Sequence, residues 1–318
     1  QVLPDPTAQV IDDGIAVLKQ NQCDSVLAFG GGSSIDSAKV IALAATNDKT
    51  AADCVGINKC KQPSLPFFAI PTTAGTGSEC TFIAVVSDNE THEKEGVLDE
   101  KMVPKAAALD PVIMQGLPVS ITAATGMDAL THAIESYIGT LRTDESDFYG
   151  LAATRLIFAN LPAVCRDGGD LEAREAMALA SFYGGLAISN ALVGYVHAIS
   201  HNLGARYGIP HGLGNAMVLP HVLERLQRVS QKKMAELAAH AGLGSNTESD
   251  ALLAQMLVDR VWRLNDEIGI PRQSESIKGE DIDDLVEAAY KEGLTYPTPR
   301  YFGRKEIRDI LLKLKVGS

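Results

Sequence analysis

The feature that most limits how this chain can fold is a change of texture at about Leu117. Before it, short apolar runs alternate with helical patterns. After it, from Ser120 to the end, apolar residues recur almost only at helical spacing, with breaks at Gly139, Gly168-Gly169, Gly208 to Gly212, Gly242 to Gly244 and Pro271. In the first part, Ala8 to Lys19 and Ser33 to Ala45 read as helices. Ser25 to Phe29, Pro66 to Ile70, Phe82 to Val86 and Ala106 to Leu109 read as short buried strands. Strands alternating with helices across glycine turns predict a doubly wound α/β domain, and sustained helical periodicity predicts an all-helical one. We therefore expect an α/β domain over residues 1–117 and a helical domain over residues 118–318. No long linker separates them, so the two should pack closely around a cleft.

The first glycine turn is Leu27-Ala28-Phe29-Gly30-Gly31-Gly32-Ser33-Ser34-Ile35-Asp36. A strand runs into glycines and a helix follows, with Ser33 and Ser34 as capping candidates. Glycine lets backbone approach an anion closely, and the free N–H groups of a helix start bind phosphate. Alone, this pattern is equally a tight strand-to-helix turn. A second segment, Ile70-Pro71-Thr72-Thr73-Ala74-Gly75-Thr76-Gly77-Ser78-Glu79, also follows an apolar run and is rich in hydroxyls. It could be no more than a Ser/Thr turn. Two such loops in one α/β domain favour a bound dinucleotide. The GxGxxG fingerprint is absent, which disfavours an ordinary Rossmann dehydrogenase.

Five of the seven histidines lie between His132 and His221. Asp128 and His132 are four residues apart, as are His197 and His201, and His211 follows in Gly208-Ile209-Pro210-His211-Gly212. On a helix, residues four apart share a face. A lone histidine here would be a hydrogen-bonded core residue. Two such pairs plus His211, in a region rich in alanine and leucine, need a reason to be buried, and a divalent metal supplies one. Three imidazoles and one carboxylate suit Fe²⁺ or Zn²⁺ better than Mg²⁺ or Ca²⁺. The spacing does not match HExxH hydrolase chemistry, and the two hydroxyl- and glycine-rich loops disfavour a metallohydrolase.

The remaining bulk properties exclude other classes. A formal net charge of −12 argues against nucleic acid as a partner. No apolar run approaches the roughly 20 residues that cross a bilayer, and no basic-then-apolar export pattern opens the chain. The five cysteines, Cys23, Cys54, Cys60, Cys80 and Cys165, include no CxxC pair. Reduced thiols in a cytoplasmic protein are the expectation.

The segments GGGSSIDSAK, PTTAGTGSE, AATGMDALTHAIESY and HAISHNLGARYGIPHG resemble the iron-containing, or group III, alcohol dehydrogenase family. The resemblance covers nearly the whole chain. It implies a dehydroquinate synthase-like α/β dinucleotide-binding domain followed by an all-α domain that carries the metal. Its ligands fall on Asp128, His132, His197 and His211, and its histidine near metal and nicotinamide falls on His201. Its pyrophosphate turn falls on Gly31, Gly32 and Ser33, with Asp36 one helical turn on. Its hydroxyls beside the ribose and nicotinamide fall on Thr72, Thr73 and Thr76, and a lysine along the cofactor falls on Lys94. The sequence departs from the family at Asp5, often Asn there, at Gly116 to Val119, and in the tail Tyr296 to Tyr301. The resemblance also implies roughly 65 further residues before Gln1, with the first strands of the nucleotide-binding domain.

The implied reaction is reversible oxidation of a primary alcohol to an aldehyde, with a metal as Lewis acid and hydride exchange with NAD or NADP. Fe²⁺ is the expected ion and Zn²⁺ the alternative. A small alcohol or aldehyde is the expected substrate and a homo-oligomer the expected assembly. His201 either relays a proton and orients the substrate or fixes a metal ligand. The competing readings are a zinc glycerol-dehydrogenase-like polyol dehydrogenase and a catalytically inactive metal-binding fragment.

Overall fold

The computed structural model describes residues 2, 6–88, 94–245 and 247–317. Asp5 lies outside the described residues. In chain order the elements are α1 (Ala8–Gln20), β1 (Val26–Gly30), α2 (Gly32–Asn47), α3 (Ala51–Cys54), β2 (Gly56–Ile57), β3 (Phe67–Pro71), β4 (Ile83–Ser87), β5 (Lys94–Leu98) and β6 (Ala106–Ala107). Helices α4 (Val119–Ile138), α5 (Asp144–Arg166), α6 (Leu171–Ala191), α7 (Tyr195–Tyr207), α8 (His211–Leu226), α9 (Gln231–His240), α10 (Asp250–Glu267), α11 (Ile282–Gly293) and α12 (Arg304–Leu314) follow. Every described strand precedes residue 108 and every long helix after residue 118 packs into one core, as the periodicity predicts.

The four predicted strands all form, but in two sheets. β1, β3 and β6 make a parallel sheet in the order β1-β3-β6, whereas β4 pairs antiparallel with β5 in a separate sheet ordered β2-β5-β4. Helix α2 is held between them. Its Ile35, Ala38 and Ala42 cover Ala28, Phe67 and Ala69 of the parallel sheet. Its Val40, Leu43 and Ala44 pack with Ile11 and Ile15 of α1 and with Ala84, Val86 and Val97 of the second sheet. A helix buried on two sides must be apolar on both, which accounts for its weak amphipathicity. Helices on both faces of the parallel sheet were expected. Among the described residues one face is covered, and Leu27, Phe29 and Phe68 stand exposed on the other.

Two ionisable groups sit inside this packing. Lys39, fully buried on α2, donates from Nζ to Thr81 Oγ1 at 2.9 Å and to the Ile83 carbonyl at 2.8 Å, tying α2 to the start of β4. Burial pushes its ammonium down to about 8. Glu79, 2% exposed, has one carboxylate oxygen without a hydrogen-bond partner, and burial pushes its carboxyl up to about 7. An acid whose folded pKa lies above its unfolded value stays protonated while the unfolded chain ionises, so stability falls as pH rises from the unfolded pKa of 4.5 towards 7. A shift of that size corresponds to about 3 kcal/mol. Glu79→Gln is therefore expected to match wild type in urea unfolding at pH 4.5 and to exceed it at pH 8. Parallel pH profiles for the two proteins would refute this.

Among the described residues, α5 is the one single helix long and apolar enough on average to cross a membrane. It lies against α4 and α6 and buries Ile157, Phe158, Leu161 and Val164 in the helical core. It thus reads as the central helix of a packed bundle.

Candidate metal centre

Three helices converge on one point. Asp128 and His132 lie one turn apart on α4, His197 and His201 one turn apart on α7, and His211 is the first residue of α8. One ligand-type atom from each of Asp128, His132, His197 and His211 lies within 4.8 Å of all the others. Asp128 Oδ1 is 3.2 Å from His211 Nε2, 3.7 Å from His132 Nε2 and 3.9 Å from His197 Nε2. Atoms held at about 2.1 Å from one ion at tetrahedral angles lie roughly 3.4 Å apart, close to the 3.2–3.9 Å that separate Asp128 Oδ1 from the three Nε2 atoms. The imidazoles of His132 and His197 stack with centroids 5.0 Å apart.

The electrostatics point the same way. Burial, together with the neighbouring histidines, holds His197 well below its usual range, and burial lowers His132. Their lone pairs are thus available as ligands. Burial would raise Asp128, but the adjacent imidazoles outweigh it and hold the carboxyl well below the usual carboxylate range. A buried carboxylate beside two imidazoles whose charged form burial disfavours lacks a full counter-charge, and a cation is the natural partner.

Side chains around the four were not singled out by sequence reasoning. Glu135, one turn after His132, accepts the Gly194 N–H at 2.9 Å, the Val196 N–H at 2.7 Å and His197 Nδ1–H at 2.6 Å. Burial pushes Glu135 up to about 7, while these three donors favour its ionised form. With Nδ1 donating, His197 presents the Nε2 lone pair to the centre. Its i+3 spacing from His132 was the signal that could have found it. His201 is not bonded to any of the four candidate ligands among the described contacts. Its ring stacks on His211 at 5.2 Å, and its Nδ1 meets Glu292 Oε1 at 2.6 Å. Glu292, on α11, also accepts from Tyr296 Oη at 2.8 Å and Asn202 Nδ2 at 2.9 Å. Nothing in the local sequence could couple Glu292 to a histidine 91 residues away.

The two predicted cofactor loops meet each other. Helix α2 starts at Gly32 with Gly31 as its N-cap and no side-chain cap, so Ser33 and Ser34 stand inside the first turn instead of capping it. An uncapped helix start leaves N–H groups facing outwards. Gly32 lies so close to Thr76 that a Cβ there would come within 2.6 Å of its methyl, and Gly31 abuts Thr73 in the same way at 3.3 Å. The Thr72 N–H donates to the Gly30 carbonyl at 2.9 Å. Asp36 accepts from the Ser78 hydroxyl and from the Val85 N–H, so its carboxylate clamps the second loop to α2. That loop then reaches α4, where Gly75 packs against Thr125. Lys94 opens β5 in the second sheet, opposite Ser87.

Comparison with known proteins places this arrangement. Residues 1–111 match the model of the iron-containing alcohol dehydrogenase family, and residues 122–314 match the C-terminal model of the Fe-containing alcohol dehydrogenase family. The chain is 39% identical over 310 residues to the NAD-dependent methanol dehydrogenase of Bacillus methanolicus, covering 97% of this chain and 81% of that protein. It is 41% identical over 313 residues to alcohol dehydrogenase 4 of Schizosaccharomyces pombe, covering 97% of this chain and 73% of that protein. The crystal structure of a 1,3-propanediol oxidoreductase superposes with a TM-score of 0.95 at 38% identity, over 98% of this chain and 82% of that one. The same folding pattern, sequence and motif positions give one answer: the chain belongs to the iron-containing alcohol dehydrogenase family and is an oxidoreductase of the alcohol dehydrogenase type.

Proposed function

We propose that this protein interconverts a primary alcohol and its aldehyde with NAD, its cation held by Asp128, His132, His197 and His211. The observation that carries the reading is the convergence of those four ligand atoms within 4.8 Å, two of the imidazoles being held neutral by burial. Bound there, a divalent cation supplies Lewis-acid polarisation of the substrate oxygen, and the dinucleotide supplies or takes the hydride. Fe²⁺ is the proposed ion, with Zn²⁺ the alternative, and NADP is the alternative to NAD. An NAD-dependent relative and the family's name support the first choices.

The division of labour follows residues 1–117 and 118–318. Gly31, Gly32 and Ser33 would take the pyrophosphate on the open start of α2, with Asp36 bracing the loop from behind. Thr72, Thr73 and Thr76 would face the ribose and nicotinamide, and Lys94 would lie along the cofactor. His201, with Nδ1 committed to Glu292, would turn Nε2 towards the substrate and move its proton. Glu135 already fixes the His197 ligand, which favours this role for His201 over that of a ligand clamp. Five cysteines free of disulfides fit a reducing compartment such as the cytoplasm. The implied homo-oligomer belongs to the same proposal.

The test is to strip the protein with a chelator and restore Fe²⁺ or Zn²⁺ anaerobically. Reduction of NAD⁺ and NADP⁺ is then followed with short-chain alcohols and diols. Fe²⁺ should restore NAD-linked turnover. Restoration by Zn²⁺ alone would favour the glycerol-dehydrogenase-like reading. A bound cation with no dinucleotide reduction would leave a metal-binding protein. In the same assay His201→Ala should keep full metal content and lose about a hundredfold or more in turnover.

A further inference from the structure

Asn215 occupies a place that none of the site chemistry above requires. It is fully buried on α8, one turn after His211. Its Nδ2 lies 2.7 Å from Asp128 Oδ1, 3.1 Å from His197 Nε2 and 3.2 Å from His211 Nε2. Its Oδ1 accepts from the hydroxyl of Ser200, which sits on α7 between His197 and His201. Acceptors on one side and a hydroxyl donor on the other define which way the amide faces. Ser200 also approaches the His197 carbonyl at 3.3 Å. The chain Ser200–Asn215–Asp128 therefore joins α7, α8 and α4, the three helices that carry all four candidate ligands.

From this geometry we infer that Asn215, aligned by Ser200, is a positioning residue that holds the Asp128 carboxylate and the three ligand helices in register for the cation. The inference rests on the metal-centre reading above. With an ion on the imidazole lone pairs, the amide keeps only its bond to Asp128, which is an N–H to a carboxylate and the strongest of the three. That bond fixes the rotamer of the one anionic ligand. Without it, the buried Asp128 is no longer held to one rotamer when the ion is absent and must be turned back when the ion binds. In the stripped form an imidazole no longer tied to an ion can donate to Asp128 in place of the amide, whereas in the loaded form no such donor is left, so the loaded form loses more stability and affinity falls. An amide that merely fills space would contribute equally to both forms.

The experiment uses the full chain, stripped by chelator and reloaded with Co²⁺, whose visible absorption reports its coordination. Asn215→Leu keeps the branched outline at a larger volume and removes the hydrogen bonds. It is expected to bind Co²⁺ ten- to a hundredfold more weakly in chelator competition, with an altered visible spectrum. It should also show a smaller difference in melting temperature between loaded and stripped protein. Ser200→Ala leaves the amide in place but removes the donor that aligns it. The same changes are expected there at smaller size, and this variant serves if Asn215→Leu does not fold. Unchanged affinity and spectrum in both variants, or an equal fall in melting temperature with and without Co²⁺, would overturn the inference. Failure of wild type to bind Co²⁺ would overturn the metal centre itself, and this inference with it.

Discussion

Replacing Asp128 with alanine is expected to empty the centre of its cation and to lower NAD-linked alcohol turnover roughly a thousandfold, since Lewis-acid activation supplies several kcal/mol and each 1.36 kcal/mol is a tenfold change. Asp128 has no substitute within the cluster. It carries the only negative charge among the four candidate ligands, and its Oδ1 is the atom from which all three Nε2 atoms lie 3.2–3.9 Å. Remaining imidazoles can bind an ion, but without charge neutralisation in a buried site the affinity must drop. Asp128→Asn keeps the shape and loses the charge, so it separates the two contributions and should retain part of the metal. Elemental analysis and turnover, measured on the same preparations, decide the matter. A variant that kept one equivalent of metal and full activity would show that the cation sits elsewhere.

The second large effect is expected at Gly77. Its φ is +62°, in the left-handed region, and a Cβ there would lie 2.5 Å from Gly185 Cα, 2.8 Å from Gly185 N and 2.9 Å from the Ser181 carbonyl oxygen. All three are backbone atoms of α6, so no side-chain rotation relieves the clash. Gly77→Val combines an unfavourable φ for a β-branched residue with forced separation of the loop from α6. It is expected to cost at least about 3 kcal/mol and to lower the melting temperature by roughly 10 °C. The loop it displaces carries Thr76 and the Ser78 hydroxyl that meets Asp36, so NADH affinity should fall with it. Gly116→Ala is the matched control, because a Cβ there meets nothing within 4 Å. Calorimetry on the two variants tests the idea, and a Gly77→Val protein melting within about 2 °C of wild type would sink it.

Much of the centre could be read from local spacing. A helix places residues four apart on one face, so Asp128 with His132, and His197 with His201, were paired before any fold was known. The same periodicity marked the region after residue 118 as helical, but not the breaks between α6 and α7, α8 and α9, or α11 and α12. Strand–glycine–helix order marked the loop at Gly30 to Ser33, although the helix begins one residue earlier than its serines suggested. Strand partnership was not legible. Phe82 to Val86 looked like the other apolar runs, yet it joins β5 in a second sheet, and β5 itself, Lys-Glu-Gly-Val-Leu, carries too little apolar alternation to declare itself. Glu135, Asn215 and Glu292 were missed for a related reason. Each meets a partner outside its own helix, 59 to 91 residues away in the cases of Glu135 with Gly194, Asn215 with Asp128 and Glu292 with His201, although Glu135 also stands three residues after His132 and Asn215 four after His211.

By itself the sequence determined which side chains share a helical face, where the all-helical part begins, and which donor types a cation would meet. Only the tertiary structure decided that those faces look at one another, that two sheets flank α2, and that Glu135, Glu292 and Asn215 meet His197, His201 and Asp128. The physical reason is one of range. Backbone geometry fixes relations over a turn or two of helix, whereas the meeting of distant faces is settled by how the whole apolar surface is buried, a property that no short stretch of residues contains.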